Sequence, residues 1–184
     1  MENNAKNIST GKPKAKGAIF TAPPGTPIPT DGVAPLDAKF ENLGYISEDG
    51  VINGVKISTQ ETTAWGGDVV MSSQSSHNET YKFKCLETNV VVLKECYGED
   101  NVTVDQASMH VRHTSGEGKL HPFVIETVEP DGRICRTVIP NGKLGERGDI
   151  VRDGKNPVAY DMTVTALPDI TGAKAHDYYA MPEA

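Results

Sequence analysis

Three sets of residues in this 184-residue chain have types and spacings that could do chemistry. Ser115-Gly116-Glu117-Gly118-Lys119-Leu120 contains the Gly-Lys pair of a phosphate-binding loop. The pattern GxxxxGK[ST], however, needs glycine where His113 stands and Ser or Thr where Leu120 stands. The segment also lies between two predicted strands and not before a helix, which favours a hairpin turn. The second set is histidine and cysteine. His110 and His113 are three apart, and on a strand such residues point to opposite faces, so they do not chelate together. His77, His121 and His176 are scattered, and Cys85 and Cys96 are too far apart for a C-x₂₋₄-C knuckle. The third set is the 25 acidic residues, where a catalytic pair would be defined by separation in space and not by any motif. No GxSxG elbow occurs. The residues thus imply no catalytic centre, metal or cofactor, and three free thiols at Cys85, Cys96 and Cys135.

The elements that would position these residues are mainly strands. Tyr81, Phe83 and Cys85 alternate with Lys82 and Lys84, as in a half-buried strand. Leu86, Val90, Leu93 and Tyr97 then fall at i, i+4, i+7 and i+11, a helical stripe. Asn89 supplies an N-cap and Gly98 a left-handed stop, which predicts one helix over about 89–97. Val158, Tyr160, Met162, Val164 and Ala166 share one face of a strand, with Asp161, Thr163 and Thr165 on the other. Further strands are predicted at 17–22, 43–46, 69–74, 78–86, 134–139 and 142–151, and a hairpin joins 107–113 to 120–128 around TSGEGK. Five prolines in 23–35 mark a stiff extended surface segment.

Glycine (18) and proline (12) are plentiful, and only 37% of residues are hydrophobic, which suits one domain with a modest core and short strands joined by turns. The predicted organisation is an N-terminal arm over 1–16, an antiparallel β-sandwich over 17–167 with one flanking helix and a long polar loop over 47–68, and a C-terminal arm over 168–184. The formal net charge of −7 argues against the basic footprint of a nucleic-acid binder, although Lys6, Lys12, Lys14 and Lys16 make the first arm basic. No run is long and apolar enough to cross a bilayer, and MENNAKNIST lacks the apolar core of a secretory signal, so the chain is expected to stay in the cytoplasm of the cell that makes it.

Two aromatic sites lie outside any predicted core. Trp65, the single tryptophan, sits in AWGGD within the polar loop. It either anchors that loop on its own domain or plugs into a neighbouring subunit, where tryptophan is a frequent contact anchor. Gly66 and Asp68 belong to the same candidate contact, and Tyr178 and Tyr179 in the second arm pose the same alternative.

The ordered motifs GAIFTAPPGTPIPTD, LGYISEDGV, AWGGD, YKFKCLETNVVVLKECYGEDNVT, VIPNGKLGERGD and VAYDMTVTALPD resemble the major tail protein, or tail tube protein, of long-tailed bacteriophages, particularly those infecting actinobacteria. The resemblance runs from about Gly17 to Asp169. Val90 stands where such sequences often place proline. The resemblance implies a structural virion protein whose subunits close into hexameric rings. The rings stack into the conduit for genome delivery, with arms and a long loop locking one ring to the next. It further implies partners at the tape measure, tail terminator and distal tail proteins. DNA would pass without specific binding; the acidic balance of the chain itself leads to the expectation of an inner wall dominated by carboxylates, with the lysines of the N-terminal arm facing outward or between rings. The alternative from a different class is a monomeric β-sandwich binding module displayed on a phage particle, which would need an exposed aromatic platform.

Overall fold

The structure, a computed structural model, describes residues 3, 8–14 and 17–180. Lys6 and Lys16 of the expected basic arm lie outside the described residues. In chain order the strands are β1 (Lys12–Pro13), β2 (Ile19–Thr21), β3 (Glu41–Asn42), β4 (Ile46–Thr63) and β5 (Val69–Cys85). The helix α1 (Val90–Tyr97) follows, then β6 (Val102–Val104), β7 (Met109–Val111), β8 (His121–Val128), β9 (Ile134–Arg147), β10 (Tyr160–Leu167) and β11 (His176–Ala180). Nine strands hydrogen-bond in the antiparallel order β3-β2-β8-β9-β10-β5-β4, with β1 beside β8 and β11 beside β9. β6 and β7 form a separate pair. This is the mainly β body with one flanking helix, consistent with the expected sandwich.

The core follows from the period-2 pattern. Tyr160, Met162, Val164 and Ala166 of β10 are buried, opposite Cys85, Phe83 and Tyr81 of β5. Phe123, Ile125, Ile139, Ile19 and Leu43 complete the same cluster. α1 forms where its caps place it. Asn89 Oδ1 accepts from the Val92 N–H at 2.9 Å, and Gly98, at φ +91°, donates to the Lys94 carbonyl at 2.8 Å. Of the predicted stripe, Leu93 is buried, while Val90 and Tyr97 pack at the edge of the core. Val92, outside that stripe, is the deepest residue of the helix. The helix touches β6, β7, β9 and β10, so its buried face is wider than one stripe.

Five expectations are corrected. The segment 47–68 is not a loop: residues 46–63 form β4, paired along its length with β5, and only 64–68 turn. TSGEGK does not close a hairpin between 107–113 and 120–128, because β7 pairs back onto β6 while β8 pairs with β9, so the glycines lie in a connection between two sheets. The strands expected at 134–139 and 142–151 are the single β9, which has β8 along one side and β11 then β10 along the other. The C-terminal arm is in part a strand of its own sheet, since β11 pairs residue for residue with Ile134–Val138. The N-terminal arm is likewise tied down at Lys12–Pro13, against Thr127 and Val128.

Candidate self-association surface

The β4–β5 hairpin carries the candidate contact residues. Near the body it is an ordinary part of the sheet: Val51 pairs with Phe83 and Asn53 with Tyr81, while β10 covers the other side of β5 as far as Glu79. Beyond Glu79, β5 has only β4 beside it. Ten further residues of β5 at about 3.3 Å each carry this two-stranded ribbon roughly 30 Å out from the sheet. The body side touches it at its base, where Lys174 Nζ donates to the His77 carbonyl. Every residue from 59 to 78 is exposed. Val55, Ile57, Val69, Val70 and Met71 are apolar and more than half exposed. The outer edge of β4 has no strand beside it among the described residues.

Trp65 stands at the tip. The Ala64 N–H bonds the Asp68 carbonyl at 2.8 Å and the Gly67 N–H bonds the Ala64 carbonyl at 2.9 Å. Gly67 takes φ +91°, which favours a residue without a side chain. This turn holds Trp65 at a relative exposure of 106%, so its indole is fully open to solvent among the described residues. The option of an internal anchor is therefore removed. The Asp68 carboxylate on the same turn has no ion-pair or side-chain hydrogen-bond partner among the described residues.

Tyr178 and Tyr179 are not brought to this tip. They lie on β11, Tyr178 opposite Arg136 and half-buried, Tyr179 opposite Cys135 and 59% exposed. They dock on their own sheet beside a buried ion network. Arg136, 1% exposed, donates from Nε to Glu126 Oε1 at 2.8 Å and from Nη1 to the Asp31 carbonyl at 2.8 Å. Lys14 Nζ reaches the other Glu126 oxygen at 2.9 Å. One network thus pins the N-terminal segment and the proline-rich segment onto β8 and β9.

At the helix end of β5 is a cleft of about 520 Å³ between α1, β9, Pro23–Pro24 and the 113–121 connection. Glu95 of α1 accepts from Thr21 Oγ1 at 2.8 Å and lies 2.9 Å from His121 Nε2. His121 Nδ1 is 2.9 Å from the Lys119 carbonyl. Both ring nitrogens face acceptors, so both need a proton, which favours the imidazolium. Burial opposes that charge, but the Glu95 hydrogen bond and charge outweigh it and raise the His121 pKa above its ordinary value. A raised folded-state value means stability that is complete below about pH 6.5 and lost as pH rises through the folded pKa. The monomer melting temperature is therefore expected to fall as pH rises above about 6.5, and less steeply in His121→Gln. An equal slope in both proteins would exclude this pair as its source.

The other groups with chemical potential are apart. Among the described residues no three His, Cys, Asp or Glu residues converge as a metal site. His176 pairs with Asp169 at 3.0 Å, and His113 stacks on Tyr97. Burial pushes the Cys85 and Cys96 thiols up to about 12, which keeps them protonated and poorly nucleophilic. No helix of the described residues is long and apolar enough to cross a membrane.

Sequence reasoning missed the hairpin itself. The signal available was the pairing of two Thr/Ser-rich stretches, 55–63 and 69–78, around Ala64-Trp65-Gly66-Gly67-Asp68. No curated protein matches this chain. A family model described as phage tail tube protein matches residues 1–181. A β-rich body with one flanking helix accords with that match, and the chain belongs to the phage tail tube protein family.

Proposed function

We propose that this structural tail protein closes into hexameric rings that stack into the tube, the conduit through which the genome leaves the virion. The observation that carries this reading is the β4–β5 ribbon, with an unpaired outer edge and a fully exposed Trp65 at its tip. An open strand edge templates a neighbour's strand through backbone hydrogen bonds, and ring closure removes that edge. Trp65, Gly66 and Asp68 form the principal inter-subunit contact in this reading. Tyr179, exposed on β11, is a secondary one, and Tyr178 contributes by holding β11 in place. The protein acts by assembly and not as an enzyme. It is made in the host cytoplasm and resides in the phage tail, where tape measure, terminator and distal tail proteins meet the tube.

Six copies would carry about −42 formal charges, which disfavours retention of DNA. Support also comes from the sheet face opposite α1. Lys84 there is paired with Asp161 at 3.4 Å and Lys143 with Glu117, so both are already partly neutralised. A tube map with an unpaired lysine lining would refute passage without binding. The alternative of a monomeric binding module lacks a platform: the exposed aromatics Tyr45, Trp65 and Tyr179 stand on separate elements.

The test is negative-stain microscopy and light scattering of concentrated protein, alone and with the tail-initiating complex. Sixfold rings or tubes are expected. A strictly single-copy population under both conditions would overturn the proposal.

A further inference from the structure

The ribbon tip needs a receptor, and the fold offers one at the opposite end of β5. Arg147, the last residue of β9, lies with its guanidinium 4.5 Å from the Tyr97 ring centroid. The Tyr97 ring is in turn 4.4 Å from the His113 ring. Asp149, Ile150 and Arg152 flank this stack in one shallow depression. Arg147 and Arg152 are exposed, and among the described residues Arg152 has no ion-pair or side-chain hydrogen-bond partner. The result is a cation–aromatic shelf on which two guanidinium groups, Arg147 and Arg152, outnumber the one carboxylate, Asp149.

We propose that this shelf receives the Trp65 tip of a second copy, with the indole on the Tyr97–Arg147 stack and the Asp68 carboxylate on Arg152. This deepens the tube reading and rests on it, by naming where one ring holds the next.

Three observations carry the inference. The first is complementarity of chemistry: the tip offers one bare indole and one unpaired carboxylate, and the shelf offers a π-stacked guanidinium and one unpaired guanidinium. Indole is the best face for a cation, and arginine stacks on aromatic rings as lysine does not. The second is polarity of the fold. β5 runs from the tip at Val69 to the helix end at Cys85, and the register puts Arg147 opposite Met162, next to Tyr160 and Cys85. Tip and shelf are thus at opposite ends of one strand, about 50 Å apart at 3.3 Å per residue, and do not meet within one copy. The third is that the contact uses two different patches. Such a heterologous interface repeats head to tail and grows without limit when its rotation does not close, which is the symmetry a growing tube requires along its axis.

The larger cleft beside α1 shares Tyr97, His113 and Arg147 with the shelf, and Arg152 lies on the shelf side alone.

The decisive experiment is a charge exchange in the full-length protein: Asp68→Arg, Arg152→Asp and the two combined. Both residues are exposed and unpaired, so all three variants are expected to melt with wild type. Each single variant is expected to raise the critical concentration for tube growth about tenfold, and the double to return it to within about threefold of wild type. Arg152→Asp assembling as wild type, or a double variant no better than either single one, would overturn this receptor while leaving the tube itself intact. Absence of tubes from wild type would overturn both readings at once.

Discussion

Trp65→Ala is expected to leave the monomer's melting temperature unchanged and to stop tube growth at concentrations where wild type assembles. The first half follows from a fully exposed indole, since substitutions at such positions stay within about 0.5 kcal/mol. The second half follows from what burial at a neighbour would contribute. A tryptophan covering roughly 200 Å² at about 25 cal/mol/Å² gains about 5 kcal/mol before ordering costs. Truncation of a contact anchor of this kind costs about 2 kcal/mol or more, a factor of roughly thirty in the critical concentration for each contact. Rings adding as hexamers would lose six such contacts together, so growth would end, not merely slow. Trp65→Phe should retain part of the growth. Scattering and microscopy read assembly, and thermal melting reads the fold. Tubes of normal length from Trp65→Ala at the wild-type concentration would remove the tip from the interface.

Arg136→Met is expected to do the reverse, damaging the monomer itself. Glu126, 2% exposed, would keep a buried carboxylate with only Lys14 against it. Breaking one side of a buried pair costs about 3–5 kcal/mol because the remaining charge stays desolvated. For a chain of this length that lowers the melting temperature by roughly 10 °C. The loss is expected to appear also as faster proteolysis near the N-terminus, because the same guanidinium holds the Asp31 carbonyl and shares Glu126 with Lys14. Adding Glu126→Leu removes both charges and is expected to recover most of the loss, since apolar replacement of a whole buried pair is often neutral. A double variant no more stable than Arg136→Met would show that the network acts through its loop contacts and not through charge pairing.

The two predictions separate two kinds of residue that look alike in the sequence. Glu126 and Arg136 sit in apolar strands as ordinary charged positions, and nothing local marks them as the most buried ionic pair. They are buried because the 23–40 segment and the N-terminal residues cross β8 and β9, an event between residues more than 100 positions apart. Trp65 is the converse: its type suggests a core residue, yet the ribbon holds it in solvent.

Legibility followed the source of each element's stability. α1 was readable because its determinants are local: an Asn cap, a Gly stop and an apolar period over eight residues. β10 was readable because one face is in the core and the other in water, which writes a clean alternation into the chain. The ribbon of β4 and β5 has water on both faces, so no alternation was required of it, and a polar stretch of strand looked like loop. β11 was missed for a related reason, since its ladder partner lies about 40 residues away and only every second residue of a five-residue stretch faces inward. The β6–β7 pair was misread because a nearby turn signal suggested a hairpin with β8, whereas β8 was taken up by β9.

Residue order alone therefore determined the β-rich class, the single capped helix, the central strand faces and the family to which the chain belongs. Each of these is encoded in local pattern or in motifs retained in sequence. The tertiary structure decided which polar stretch becomes a free ribbon, where Trp65 stands and which cations face which carboxylates. Those outcomes depend on strand pairing and burial across the whole chain, where the energy of a contact is set by what lies opposite and not by what lies adjacent.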